Sequence, residues 1–98
     1  MTINNEKNGT DMKIMIEGRL DTTTAPELEK YVDDNIGDTK DLTFDLEKLE
    51  YVSSAGLRVL LSTQKKMNKV GSMTIINAND VIMEIFEVTG FSDIMTIR

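Results

Sequence analysis

Leu42-Thr43-Phe44-Asp45-Leu46 alternates apolar and polar residues, and a short way on Ser53-Ser54-Ala55-Gly56-Leu57-Arg58 opens a stretch with a different period. The first pattern repeats every two residues, as one buried face of a strand requires. From Ser54 the residues Leu57, Leu60, Leu61, Gln64 and Met67 fall at three- and four-residue spacings, on one side of a helix. Glu47 to Val52 reads as the connecting loop, and Gly71 as the helix stop. A strand that feeds a helix is half of a parallel crossover unit, and such units are nearly always right-handed.

Working outward, Thr2 to Lys7 makes a weak first strand closed by the turn dipeptide Asn8-Gly9. Met12, Ile14 and Ile16 alternate with Lys13, Met15 and Glu17 in a second strand ending at Gly18. Thr24 and Glu27 have capping-box spacing and Pro26 sits in the first turn, so a helix follows, with Leu28, Tyr31, Val32 and Ile36 as its stripe and Gly37 as its stop. Met73 to Ile76 is a fourth strand. Asn79 or Asp80 then caps a third helix with Val81, Ile82, Ile85 and Phe86 facing inward and Gly90 at its end, and Phe91 to Ile97 supplies a last strand. The order predicts an α/β fold: a mixed sheet of four to five strands with three main helices, the first strand antiparallel and the remainder in right-handed crossover units. Residues 1–98 read as a single domain.

Composition narrows the chemistry. With no Cys and no His, the 98-residue chain has no disulfide, no imidazole base and no Cys/His metal site, which removes the Ser-His-Asp and Cys-His triads. A Ser-Lys pair or an all-carboxylate site survives that cut. Eleven Lys+Arg against 17 Asp+Glu give a formal charge of −6, the wrong sign for nucleic acid. No apolar run reaches the roughly 20 residues of a membrane span, so a cytoplasmic location with no membrane insertion is expected. The seven Met occupy apolar positions and read as core filling.

In open parallel sheets, sites gather where loops leave the carboxyl ends of strands. Asp21 leaves the second strand and Ser54 follows the third, so both belong to one edge if those strands are neighbours. Ser54 stands at the helix start with Gly56 just beyond, where free backbone N–H groups favour anions. Each also has an ordinary reading: Ser54 as a helix N-cap, Asp21 as a turn former, Ser53 as a solvated loop hydroxyl. Arg58, Ser62, Lys65, Lys66 and Lys69 share one polar arc of the same helix, either a solvated face or a binding surface. Asp33, Asp34, Asp38 and Asp41 cluster around the preceding helix end.

Leu49-Glu50-Tyr51-Val52-Ser53-Ser54-Ala55-Gly56-Leu57-Arg58-Val59-Leu60-Leu61 resembles the signature of the STAS domain family, specifically its bacterial anti-sigma factor antagonists. Gly18-Arg19-Leu20-Asp21-Thr22-Thr23-Thr24-Ala25 and Ile85-Phe86-Glu87-Val88-Thr89-Gly90-Phe91 resemble two further elements of that family in the right order. The resemblance implies a non-catalytic switch, needing no cofactor and no metal. Its unphosphorylated form binds an anti-sigma factor that is also a serine kinase with a histidine-kinase-like ATPase fold, and so frees a sigma factor. Phosphorylation turns it off and a metal-dependent serine phosphatase restores it. By the motif the acceptor falls on Ser54, with Ser53 as the second candidate, and the partner-binding set on Asp21, Thr22, Ser53, Ser54, Gly56 and Arg58. Two positions depart from the pattern: Ser53 stands where better-known members carry Asp, and Arg58 where many carry Gly. The free chain is expected to be a monomer.

Two other classes compete. One is an unphosphorylated STAS subunit that docks on the ATPase of a membrane transporter. The other is an enzyme using Ser54 with Lys65, Lys66 or Lys69 as base, which the helical separation of these residues disfavours.

Overall fold

The computed structural model describes Met1 to Arg98. β1 (Thr2–Asn8) and β2 (Asp11–Leu20) form an antiparallel hairpin in register from Thr2 opposite Glu17 to Asn8 opposite Asp11. Its turn depends on Gly9, whose φ of +65° lies in the left-handed region. β2 does not stop at Gly18. That glycine adopts φ +100° at a shift of register, and the strand continues to Leu20.

The continuation matters because β2 has different parallel partners along its length. Asp11 to Met15 pair with β3 (Asp41–Asp45), and Gly18 to Leu20 pair with β4 (Leu49–Val52). β4 lies in the segment read from sequence as a loop, which corrects that reading. Four residues are too few to display a period, yet Leu49 and Val52 are buried and the backbone is tied to β2 through the Gly18 N–H and Lys48 carbonyl at 3.0 Å. β5 (Ser72–Ile76) pairs parallel with β3, and a two-residue β6 (Thr96–Ile97) pairs parallel with β5. The six-stranded sheet runs β1-β2-β3-β5-β6, with β4 attached to the end of β2.

The helices are α1 (Ala25–Asn35), α2 (Ser54–Asn68) and α3 (Asp80–Thr89). Met12, Ile14 and Ile16 of β2, Leu42 and Phe44 of β3, and Met73 and Ile75 of β5 form one buried face. Against it pack Leu28 and Val32 of α1, Leu57, Leu60 and Met67 of α2, and Ile82 and Phe86 of α3, in one continuous cluster. The alternation read from the sequence is the pleat of these strands.

Three local expectations change. Thr24 and Glu27 make no capping box, because the Thr24 hydroxyl turns back to the Arg19 carbonyl at 2.9 Å. Val81 faces solvent at 56% exposure, since the 100° step per residue carries it off the arc centred on Ile82 and Phe86. The segment after Gly90 begins as a short 3-10 turn (Phe91–Asp93), which leaves only Thr96 and Ile97 for the last strand. Asn79 caps α3 by accepting from the Ile82 N–H at 2.9 Å, and Gly90, with φ +78°, ends it.

Candidate functional site

β4 is what brings Asp21 and Ser54 to one edge. Leu20 ends β2 beside Val52, and the Ser53 N–H donates to the Leu20 carbonyl at 2.8 Å, so the β2 exit and the α2 entry are held side by side. Gly56 completes the joint. A Cβ there would stand 2.7 Å from Leu20 Cγ and 2.9 Å from Val52 Cγ2, so the first turn of α2 seats against both strand ends because it has no side chain at that point. Gly56 is therefore a packing requirement of the site and is itself buried.

The helix cap is Ser53, one residue earlier than expected. Ser53 has extended backbone (φ −91°, ψ 174°), and its Oγ accepts from the Gly56 N–H at 3.3 Å. Ser54 is the first helical residue; it is exposed, and its hydroxyl engages no hydrogen-bond partner. The expected N-cap role thus belongs to Ser53, which leaves Ser54 Oγ uncommitted.

Asp21 is committed to its own turn. One carboxylate oxygen accepts from the Thr24 and Thr23 N–H groups at 3.1 and 3.0 Å and from the Thr24 hydroxyl at 3.2 Å. The Thr24 N–H above all, with those of Thr23 and the Thr24 hydroxyl and the nearby Arg19 charge, holds the carboxyl below its ordinary range against an opposing desolvation effect. In return the Asp21 N–H donates to Thr24 Oγ1 at 2.8 Å. The loop that carries Thr22 is thereby fixed from inside.

Thr22 and Arg58 meet in a groove of about 350 Å³ between the N-terminal parts of α1 and α2, bordered also by Pro26, Glu29, Ala55 and Ser62. Arg58 takes part in none of the ion pairs, whereas Lys66 on the same arc is bound to Asp33 at 2.5 Å. Lys65, Lys66 and Lys69 lie farther along α2. At 1.5 Å rise per residue, Lys65 is about 16 Å beyond Ser54 along the axis, out of reach as a base. No group of three or more metal-ligating side chains is assembled.

Arg19 and Tyr51 were not among the sequence candidates. Their residues pair across β2 and β4, and the Arg19 guanidinium stacks over the Tyr51 ring at 4.6 Å from its centroid. Only the register of β4 reveals this pair, and β4 itself had no readable period.

A family model described as STAS domain matches residues 2–98. The anti-sigma-B factor antagonist of Staphylococcus aureus is 33% identical over 88 residues, covering 88% of this chain and 82% of the relative. That of Bacillus subtilis is 30% identical over 93 residues, covering 94% and 85%. Among solved structures, the anti-sigma factor antagonist SpoIIAA in its unphosphorylated form superposes with a TM-score of 0.78 at 17% identity, over 99% of this chain and 87% of that one. The Bacillus cell fate determinant SpoIIAA in the phosphorylated form gives 0.77 at 18%, over 99% and 91%. A sulfate transporter family protein from Wolinella succinogenes gives 0.78 at 15%, over 90% and 73%.

Proposed function

Since the chain belongs to the STAS domain family, we propose that it is an anti-sigma factor antagonist: a single domain that binds an anti-sigma factor and releases it when Ser54 is phosphorylated. The partner in this reading is a serine kinase with a histidine-kinase-like ATPase fold. It transfers the γ-phosphoryl group of ATP to Ser54 Oγ; the bond to the ADP oxygen breaks and the hydroxyl proton leaves. A metal-dependent serine phosphatase restores the hydroxyl by hydrolysis: water attacks phosphorus, the bond to Ser54 Oγ breaks, and inorganic phosphate leaves. The chain performs no catalysis itself and supplies an acceptor and a surface made of Asp21, Thr22, Ser53, Ser54 and Arg58, with the buried Gly56 seating the helix start beneath them.

The observation that carries the reading is the exposed, unbonded hydroxyl of Ser54 one residue past the capping Ser53. Modification of Ser53 would fall on the group that caps the helix, whose Oγ accepts from the Gly56 N–H. A modified Ser54 leaves that bond in place.

Release then follows from charge. A phosphoserine adds about −1.5 to −2 charge. Two unit charges about 4 Å apart repel by about 4 kcal/mol at an effective dielectric of 20, against about 1.4 kcal/mol for each tenfold of affinity. The transporter-docking alternative shares the fold, but its structural relative adds no likeness beyond that.

The test is to incubate the chain with its cognate anti-sigma factor and ATP, locate phosphate by mass spectrometry, and follow the complex by size exclusion. Phosphate on Ser54 with loss of the complex is expected. Phosphate on Ser53, or on neither serine, overturns the assignment.

A further inference from the structure

Arg58 follows Ser54 by four residues within α2, a spacing that stacks side chains one turn apart on the same helix face. Both residues are exposed. Lys7, Lys13, Lys30 and Lys66 each hold a carboxylate within ion-pair distance, yet Arg58 holds none. The first turn of α2 contains no acidic residue, and Glu29, which borders the same groove, is not among the ion-paired carboxylates. A guanidinium fork suited to two anionic oxygens therefore stands one turn from the acceptor with no carboxylate partner.

Resting on the reading of Ser54 as the acceptor, we propose that Arg58 is the internal counter-ion of phosphorylated Ser54. The guanidinium, which borders the groove with Thr22 and Ser62, draws back along the helix face and meets two phosphate oxygens with two N–H groups. Phosphorylation then alters the partner surface twice: it adds anionic charge at Ser54 and withdraws a free cation from the groove. With the phosphate held by its own helix, neither the Ser53 cap nor the Gly56 seat has to move. Glu29 is the competing acid in the groove, and the larger charge and three acceptor oxygens of the phosphate favour pairing with phosphorylated Ser54.

The test needs no kinase. The full chain is made with phosphoserine incorporated genetically at position 54, and the second ionisation of its phosphate is followed by 31P NMR. Arg58→Gln is expected to raise that midpoint by about half a pH unit or more, Arg58→Lys to give an intermediate value, and Lys65→Gln, farther along the helix, to leave it unchanged. Equal midpoints for the unsubstituted chain and Arg58→Gln would overturn the proposal. If the midpoint responds but the kinase assay leaves Ser54 unmodified, the switch function fails while the pairing stands. If the kinase modifies Ser54 and the midpoint is indifferent to Arg58, only the role of Arg58 falls.

Discussion

Replacing Gly56 by Ala adds one methyl group at the joint where α2 meets the ends of β2 and β4. The new Cβ would lie 2.7 and 3.0 Å from Leu20 Cγ and Cδ2 and 2.9 Å from Val52 Cγ2, closer than carbon atoms tolerate. Leu20 and Val52 are fully buried, so neither has solvent to move into. Overpacking of this kind costs about 1–3 kcal/mol, and the better helix propensity of Ala returns up to about 1 kcal/mol. The informative measurement is a double-mutant cycle with Leu20→Ala, read by urea denaturation. Leu20→Ala alone should cost about 2–5 kcal/mol through lost burial and a cavity. In its presence the Leu20 clash is gone and the methyl group added at position 56 fills part of the vacated space, into which Val52 can also shift, so Gly56→Ala becomes less costly than in the unsubstituted chain. The cycle should return a coupling of about 1–3 kcal/mol that favours the double variant. Additive effects within about 0.5 kcal/mol would mean that Gly56 does not seat against Leu20, and the account of how α2 is aimed at the site would fail.

The two serines should separate by experiment. Ser53→Ala loses a helix cap and should cost about 1 kcal/mol, Ser53→Asp should retain the cap, and Ser54→Ala should lie within about 0.5 kcal/mol of the unsubstituted chain while blocking phosphate transfer. Equal thermal shifts for the two alanine variants would contradict the cap assignment. For Asp21, the folded pKa is depressed below the unfolded value. Its stabilising contribution is therefore fully present above the unfolded value and is lost as pH falls through the folded one. In acid-dependent urea melts, Asp21→Asn should flatten that part of the stability curve, and an unchanged acid limb would refute the turn's role.

Much of the fold was legible because burial is written in periods. Met12, Ile14 and Ile16, then Leu42 and Phe44, then Met73 and Ile75 show the pleat, and Leu57, Leu60 and Met67 show the helix. β4 was not legible. Leu49-Glu50-Tyr51-Val52 is only four residues long and its buried residues, Leu49 and Val52, stand three apart, so no period of two shows, and its strand character arises from the edge that β2 offers after the register shift at Gly18. That single tertiary pairing decides the site. It sets the Leu20 carbonyl to receive the Ser53 N–H, stacks Arg19 on Tyr51, and moves the cap back from Ser54 to Ser53. Ser53 and Ser54 are chemically identical in sequence, so only the path by which β4 delivers the chain into α2 assigns one to capping and leaves the other free.

The same geometry gives a local meaning to the charge of −6. Acidic residues predominate overall, whereas beside Ser54 they are few: the Asp21 carboxylate is held by three donors of its own loop, Glu29 borders the groove, and the first turn of α2 has no acid. Arg58 in the groove and Arg19 on Tyr51 form no ion pair, whereas Lys66 is neutralised by Asp33. The surface beside the acceptor thus carries both signs, Arg58 and Arg19 with Asp21 and Glu29, on an anionic protein. One phosphate, with a charge of about −1.5 to −2, would turn that balance strongly anionic. In the proposed switch, that change of charge is the signal a partner reads, and the fold's part is to keep Arg58 without an ion pair and the Ser54 hydroxyl uncommitted until it comes.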